Sequence, residues 1–412
     1  MIIATYRYIF INLLYVINMD PVKNPFSPGA GSPPPELAGR KNILDKSKIV
    51  LGRLKAGKSE KSFLLVGLRG VGKTVLLNEI HNSAQSEQFK SILVEAHEGK
   101  SLAALLIPPL RQVLFGLDQM EHINHKVKRG LRVLKSFLNG IKVKINEVEI
   151  GLDIDPELGS GDSGDLESDL PILLEAIAEA AQARGTAISI IIDEIQYLSE
   201  KEFSALIMAI HKVSQKRLPL VLIGAGLPQL VGLAGKSKSY AERLFDYPPV
   251  GPLNYSDAVL AIQEPVKEQG VIFTTEALDE IISKTEGYPY FLQEWGYQSW
   301  NLATTTEIDL DTVKKATEVS LQRLDESFFR VRFDRLTPSE KRYLLALAEF
   351  GSGPHRSGDI AEKLKVKPQS VAPTRASLIK KGMIHSPSYG DTEFTVPLFD
   401  DFMRREMSVR SR

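Results

Sequence analysis

"VGLRGVGKTVLL", residues 66–77, decides the fold. Gly67 to Thr74 read G-x-x-x-x-G-K-T, between the apolar run "SFLLV" (62–66) and a stretch of helical periodicity, "TVLLNEIHNSA". A strand feeding a glycine-rich turn that opens a helix can wrap backbone N–H groups around phosphate oxygens, with no Cβ in the way. The expected phosphate cradle is therefore Gly67, Leu68, Arg69, Gly70, Val71, Gly72, Lys73, Thr74 and Val75. Lys73 would reach the outer phosphates of ATP and Thr74 would offer its hydroxyl to Mg²⁺. The start of the helix adds a favourable dipole for anionic charge.

Outward from this motif, "SILVEA" (91–96), "ISIIID" (188–193) and "LVLIGAG" (220–226) are continuous apolar runs rather than alternating ones. That pattern suits strands covered on both faces, so an α/β fold with a parallel sheet flanked by helices is expected. Phe203, Leu206, Ile207, Ile210 and Val213 form an apolar stripe at helical spacing between the last two runs. The third run ends in Asp193-Glu194, which a parallel sheet would place beside the phosphate loop. Asp193 is then the expected Mg²⁺ partner, and Glu194 the group that orients and polarises an attacking water. A second carboxylate next to the metal partner points to hydrolysis as well as binding.

The chain has 412 residues, enough for two or three domains, with 51 basic and 51 acidic side chains and no cysteine. The charge balance gives no global pull toward nucleic acid or membrane. The absence of cysteine excludes disulfides, thiolate metal sites and a cysteine nucleophile, and suits a reducing cytoplasmic setting. Residues 1–18 are apolar and aromatic but short for a hydrocarbon core of about 30 Å, and they carry Arg7. They read as an untranslated or disordered extension, with a membrane anchor as the alternative. Residues 20–35 hold six prolines and two glycines and read as a flexible arm. The expected organisation is this 1–35 extension, a nucleotide-binding α/β domain over 36–250, a helical lid over 251–335 and a C-terminal module over 336–412. Residues 116–168 form an insertion in the α/β domain, with a hairpin pattern at 141–154.

The phosphate motif, the acidic pair and the flanking segments together resemble the AAA+ and signal-transduction (STAND-like) P-loop ATPases, near the initiator-type, origin-recognition-like ATPases of archaea and bacteria. "ELAGR" (36–40) is similar to the segment that such proteins pack near the adenine, and "IIIDEIQYL" resembles their second acidic strand. The resemblance implies that Arg243, in "YAERLF", could act catalytically by reaching the γ-phosphate of a neighbouring copy in a homo-oligomer. The other reading pairs it with Asp246 or Glu242 on the surface. Two departures stand out: residues 223–226 hold no polar sensor, and "TEGYPYFLQEW" (285–295) has no arginine where motors place one. Gly287-Tyr288-Pro289 resembles instead the Gly-x-Pro by which signalling members hold the adenine, making Pro289 a nucleotide contact. A slow ATP-dependent switch is implied rather than a fast motor.

"SGDIAEKLKVKPQSVAPTRASLIKKGMIHSPSYGDTEFTVPLFDDFMRR" (357–405) resembles a winged helix: a helix over 358–364, a second over about 369–381 stopped by Gly382, and two strands around Gly390-Asp391. Residues 355–381 hold seven Lys or Arg and two acids. Duplex DNA is the expected partner, with Gln369, Ser370, Thr374 and Arg375 facing a groove and Lys363, Lys365 and Lys367 on phosphates. Pro373 is expected to kink the second helix or delay its start. In signalling members of the group the same module packs on the nucleotide domain or on proteins, which is the competing reading.

Overall fold

The computed structural model describes residues 19–29, 31–118, 124–141 and 154–410. The 1–18 extension and the hairpin pattern at 141–154 lie wholly or almost wholly outside them. The expected strands form a parallel sheet: β1 (Ser62–Val66), β2 (Lys90–Glu95), β3 (Ile188–Asp193), β4 (Leu220–Gly226) and the two-residue β5 (Phe245–Asp246). Their order is β2-β3-β4-β1-β5, which sets β1 and β3 on either side of β4 with their C-terminal ends along one edge. β5 escaped the sequence reading because two residues carry no periodicity.

Both faces of the sheet are buried, as the continuous apolar runs require. Phe63, Leu65 and Ile191 face a core shared with α1 (Lys41–Lys55) and α2 (Lys73–Ser86). Leu64, Ile190 and Ile192 face the opposite core. That second core is completed by α3 (Leu102–Asp118), α4 (His125–Gly140), α5 (Leu166–Ala183), α6 (Glu200–Gln215), α7 (Gln229–Ser237) and α8 (Ala241–Leu244). All five residues of the stripe on α6 are buried.

The region after residue 251 is helical, as expected: α9 (Tyr255–Lys267), α10 (Thr275–Thr285), α11 (Pro289–Leu302) and α12 (Leu310–Arg323). β6 (Ile272–Phe273) and β7 (Glu307–Ile308) tie the group together as a small parallel pair that the sequence did not reveal. A π-helical turn, Leu324–Phe329, and α13 (Arg330–Asp334) lead onward. The C-terminal part has α14 (Pro338–Ala348), β8 (His355–Arg356), α15 (Ser357–Lys363), α16 (Pro368–Lys380), β9 (Ile384–His385), β10 (Asp391–Phe394) and α17 (Phe399–Arg410). Its three strands form an antiparallel sheet in the order β8-β10-β9.

Three expectations are corrected. The proline-rich arm is docked rather than loose: Phe26 is 2% exposed, Asn24 Nδ2 donates to the Tyr297 carbonyl and to Asn301 Oδ1, and Trp300 Nε1 donates to the Asp20 carbonyl. Proline forbids repetitive hydrogen bonding, but one aromatic anchor and side-chain hydrogen bonds suffice to fix an irregular segment. Pro373 does not delay α16: the helix already starts at Pro368, whose missing N–H is an orphan at that first position, and it runs on through Pro373 to Lys380. The groove-facing set is also broken up. Arg375 is committed inside the module, donating Nε to Thr392 Oγ1 at 2.9 Å and Nη2 to the Asp391 carbonyl at 2.7 Å. Lys363, expected on phosphate, pairs with Glu349 at 2.8 Å.

Candidate nucleotide site

β1 ends where the chain must turn sharply under its neighbours. A Cβ on Gly67 would sit 2.0 Å from the Val250 carbonyl oxygen, so only glycine lets the loop leave the sheet there. Gly72 then adopts φ 92° and ψ 19° as N-cap of α2, a left-handed geometry that glycine accepts without strain. Lys73 is buried at the first turn of α2 and donates its Nζ to the carbonyls of Gly67 (3.0 Å) and Leu68 (2.8 Å). Burial draws its ammonium below the ordinary lysine value, against the pull of Glu194 and Asp193.

At the end of β3, Asp193 Oδ2 accepts a hydrogen bond from Thr74 Oγ1 at 2.6 Å. Burial pushes the Asp193 carboxyl up, and the hydrogen bond from Thr74 opposes it. This hydroxyl–carboxylate pair fits Mg²⁺, which takes few protein oxygens and leaves the rest of its shell to water and phosphate. Among the described residues no cluster of three or more His, Asp or Glu forms a dedicated metal cage. Glu194 follows in the left-handed region, φ 52° and ψ 38°, unusual for a residue with a side chain. Its carboxylate accepts from Gln196 Nε2, while Gln196 Oε1 accepts from the Leu227 backbone N–H at 3.2 Å. Gly226 leaves room for this: a Cβ there would stand 2.8 Å from Gln196 Oε1. Residues 223–226 carry no polar side chain, and Gln196 supplies the polar group beside β4 instead.

A cavity of about 340 Å³ opens over the loop. Arg69, Gly70, Val71, Gly72, Lys73, Thr74, Val75, Glu194 and Pro289 all line it, and these are nine of the expected site residues. Glu36, Leu37, Ala38 and Arg40 of "ELAGR" line it too, with Tyr290, Gln293, Phe328 and Arg332 from beyond the sheet. Arg40 Nη2 fixes this wall by donating to the carbonyls of Val71 (3.0 Å) and Gly251 (2.5 Å). The docked arm contributes Ser27, Gly29, Gly31, Ser32 and Pro34.

The family comparison agrees with this geometry. Residues 56–230 match the model of the AAA domain. Residues 326–403 match a domain of unknown function (DUF8462). Among solved structures, the Walker-type ATPase PABY2304 of Pyrococcus abyssi is similar over 89% of this chain and 96% of its own, at 16% identity and TM-score 0.53. Cdc6p from Pyrobaculum aerophilum aligns over 96% and 100% (15% identity, TM-score 0.48). The Aeropyrum pernix ORC1 protein, solved in complex with DNA, aligns over 92% and 95% (17%, 0.45). No curated protein gave a significant match. The chain has a P-loop ATPase fold, with an AAA-type nucleotide-binding region.

Arg243 is exposed on α8 and stands apart from the cavity lining. The surface pairing with Asp246 is not seen, because Asp246 is held by Lys46 at 2.5 Å and Lys61 at 3.6 Å. Lys365, Lys367, Gln369 and Ser370 are exposed together at the α15–α16 turn, with Thr374 half-buried. Sequence reasoning missed Arg40 and Arg332 as wall residues. Arg40 had a signal in "ELAGR"; Arg332 had none.

Proposed function

We propose that the chain binds Mg-ATP and hydrolyses it slowly, as a switch acting on the C-terminal module, which we read as a winged helix that meets DNA. The observation that carries the switch is Arg69. It leaves the phosphate loop, donates Nη2 to Tyr197 Oη at 2.8 Å, and lies against Gly382 at the end of α16. A Cβ on Gly382 would stand 2.9 Å from Arg69 Nε. Any loop adjustment on phosphate binding is thus felt directly by the C-terminal module.

In this reading Lys73 exchanges its two carbonyl partners for phosphate oxygens. Mg²⁺ held beside Thr74 and Asp193 would offset charge on the phosphates. Glu194, aimed by Gln196, orients the attacking water. The loop amides and Pro289 bind the nucleotide, and Arg243, exposed and unclaimed by Asp246, is free to enter a neighbouring copy's site.

The DNA reading rests on Lys365, Lys367, Gln369 and Ser370. A protein-contact reading of the same module is favoured by the other end of α16, where Ala376, Ile379 and Lys380 face a groove against α7. Duplex binding of the full chain separates the two, measured across salt and with ATP or ADP. Reversing charge at Lys365 and Lys367 should weaken binding for every sequence alike and reduce the salt slope by about 2, since each lost phosphate contact removes roughly 0.9. Unchanged affinity in that double variant would favour protein contacts.

A further inference from the structure

One cation in the cavity wall is not explained by the phosphate loop. Arg332 lies on α13, inside the segment that matches the domain of unknown function rather than the AAA domain. It lines the cavity together with Arg69, Lys73 and Glu194. It is stacked 3.6 Å from the Phe328 ring centroid and donates Nη1 to the Phe328 carbonyl at 2.8 Å. Among the described residues no carboxylate pairs with it; Arg69 and Arg335 repel it, and the Tyr290 phenol favours its charge. Burial, with Arg69 adding repulsion, draws it down to about 10.

Arg330, two residues earlier on the same helix, shows what an ordinary arginine does here. It forms a bidentate pair with Glu406, at 2.6 and 2.7 Å. A partly buried guanidinium without such a partner carries a desolvation cost that an arriving anion would offset. Arginine is also the side chain whose planar donors match phosphate, and at about 10 it stays charged at neutral pH.

We infer that Arg332 is a phosphate ligand of the bound nucleotide, supplied by α13, which packs on the C-terminal module, rather than by the phosphate-loop region. This rests on the nucleotide reading of the cavity. Phe329 and Phe333 flank Arg332 and pack on Phe402, so α13 moves with α17. A phosphate held by Arg332 would pin that module to the loop without needing the Arg69 contact.

The test uses full-length wild type, Arg332→Met and Arg332→Lys. It reads affinity for ATP and for adenosine by calorimetry, and the unfolding temperature without ligand. The expected result for Arg332→Met is a loss of ATP affinity of tenfold or more, which is about 1.4 kcal/mol. Adenosine affinity stays unchanged, the ligand-free unfolding temperature is equal or higher, and Arg332→Lys recovers part of the loss. Wild-type ATP affinity in Arg332→Met would overturn the inference. So would equal losses for ATP and adenosine with a lower ligand-free unfolding temperature, which is the mark of a structural cation. Failure of wild type to bind ATP at all would instead remove the nucleotide reading, and this inference with it.

Discussion

Lys73 and Glu194 have separable tasks, because one touches phosphate and the other acts on water. Lys73→Ala should lose ATP binding. Glu194→Gln should bind ATP within about threefold of wild type and turn it over at least about 100-fold more slowly, the lower end of what a positioned acid–base group contributes. Equal affinity losses in an equilibrium titration of the two variants would refute this division. Glu194 holds its left-handed geometry at a cost of about 1 kcal/mol or more, one that the glutamine variant keeps and so does not confound. These two residues were legible because the chain itself fixes their spacing to strand and loop. Gln196 stood in "IIIDEIQYL" with no role attached to it. Its bridge from Glu194 to Leu227 depends on β3 and β4 lying side by side, which spacing does not show.

At the scale of elements, the four long strands followed from their composition, whereas β5, β6 and β7 exist only through partners brought by the fold. The arm was misread for a related reason: six prolines say what it cannot bond to, not that Phe26 has somewhere to go. In the C-terminal part, Thr337 and Glu340 form a capping box at the start of α14, and Lys381 Nζ and Ser377 Oγ also donate to Glu340. Burial raises the Glu340 carboxyl, but the hydrogen bonds from Lys381, Thr337 and Ser377 outweigh it and bring it down to about 2. A depressed carboxyl contributes stability in full above its ordinary value of 4.5 and loses it as pH falls toward about 2. Glu340→Gln should therefore destabilise the protein by about 1–3 kcal/mol at pH 7, the usual range for a buried group losing its charged partner. The deficit should shrink between pH 4.5 and 2, as the wild-type carboxyl also takes up its proton. Urea midpoints at pH 7 and pH 3 check this; a deficit independent of pH would show that Glu340 is not the titrating group.

At the scale of the whole molecule, the open matter is whether one copy suffices. If Arg243 completes a neighbour's site, specific activity should rise with protein concentration, and Arg243→Ala should bind ATP normally while losing on the order of 10³-fold in turnover. Mixing it with Glu194→Gln should return some activity, since that partner still binds ATP and donates its own arginine. Concentration-independent turnover by a monodisperse monomer, indifferent to the substitution, would end the trans role. Which surfaces meet could not be read from composition, because Arg69 and Gly382 are joined only by the folded path between them.

The cavity wall runs from Ser27, in the arm, to Arg332, on α13. Its parts therefore leave the ribosome far apart in time. A nascent chain that has released only the sheet holds the phosphate loop but lacks Pro289, Tyr290, Phe328 and Arg332, and the arm has no Trp300 or Asn301 to grip. Nucleotide can favour folding only in proportion to its preference for the finished site. The sheet must therefore form on its own apolar runs during synthesis, and ATP can act as a stabilising ligand of the finished site only once the chain has been made past Arg332.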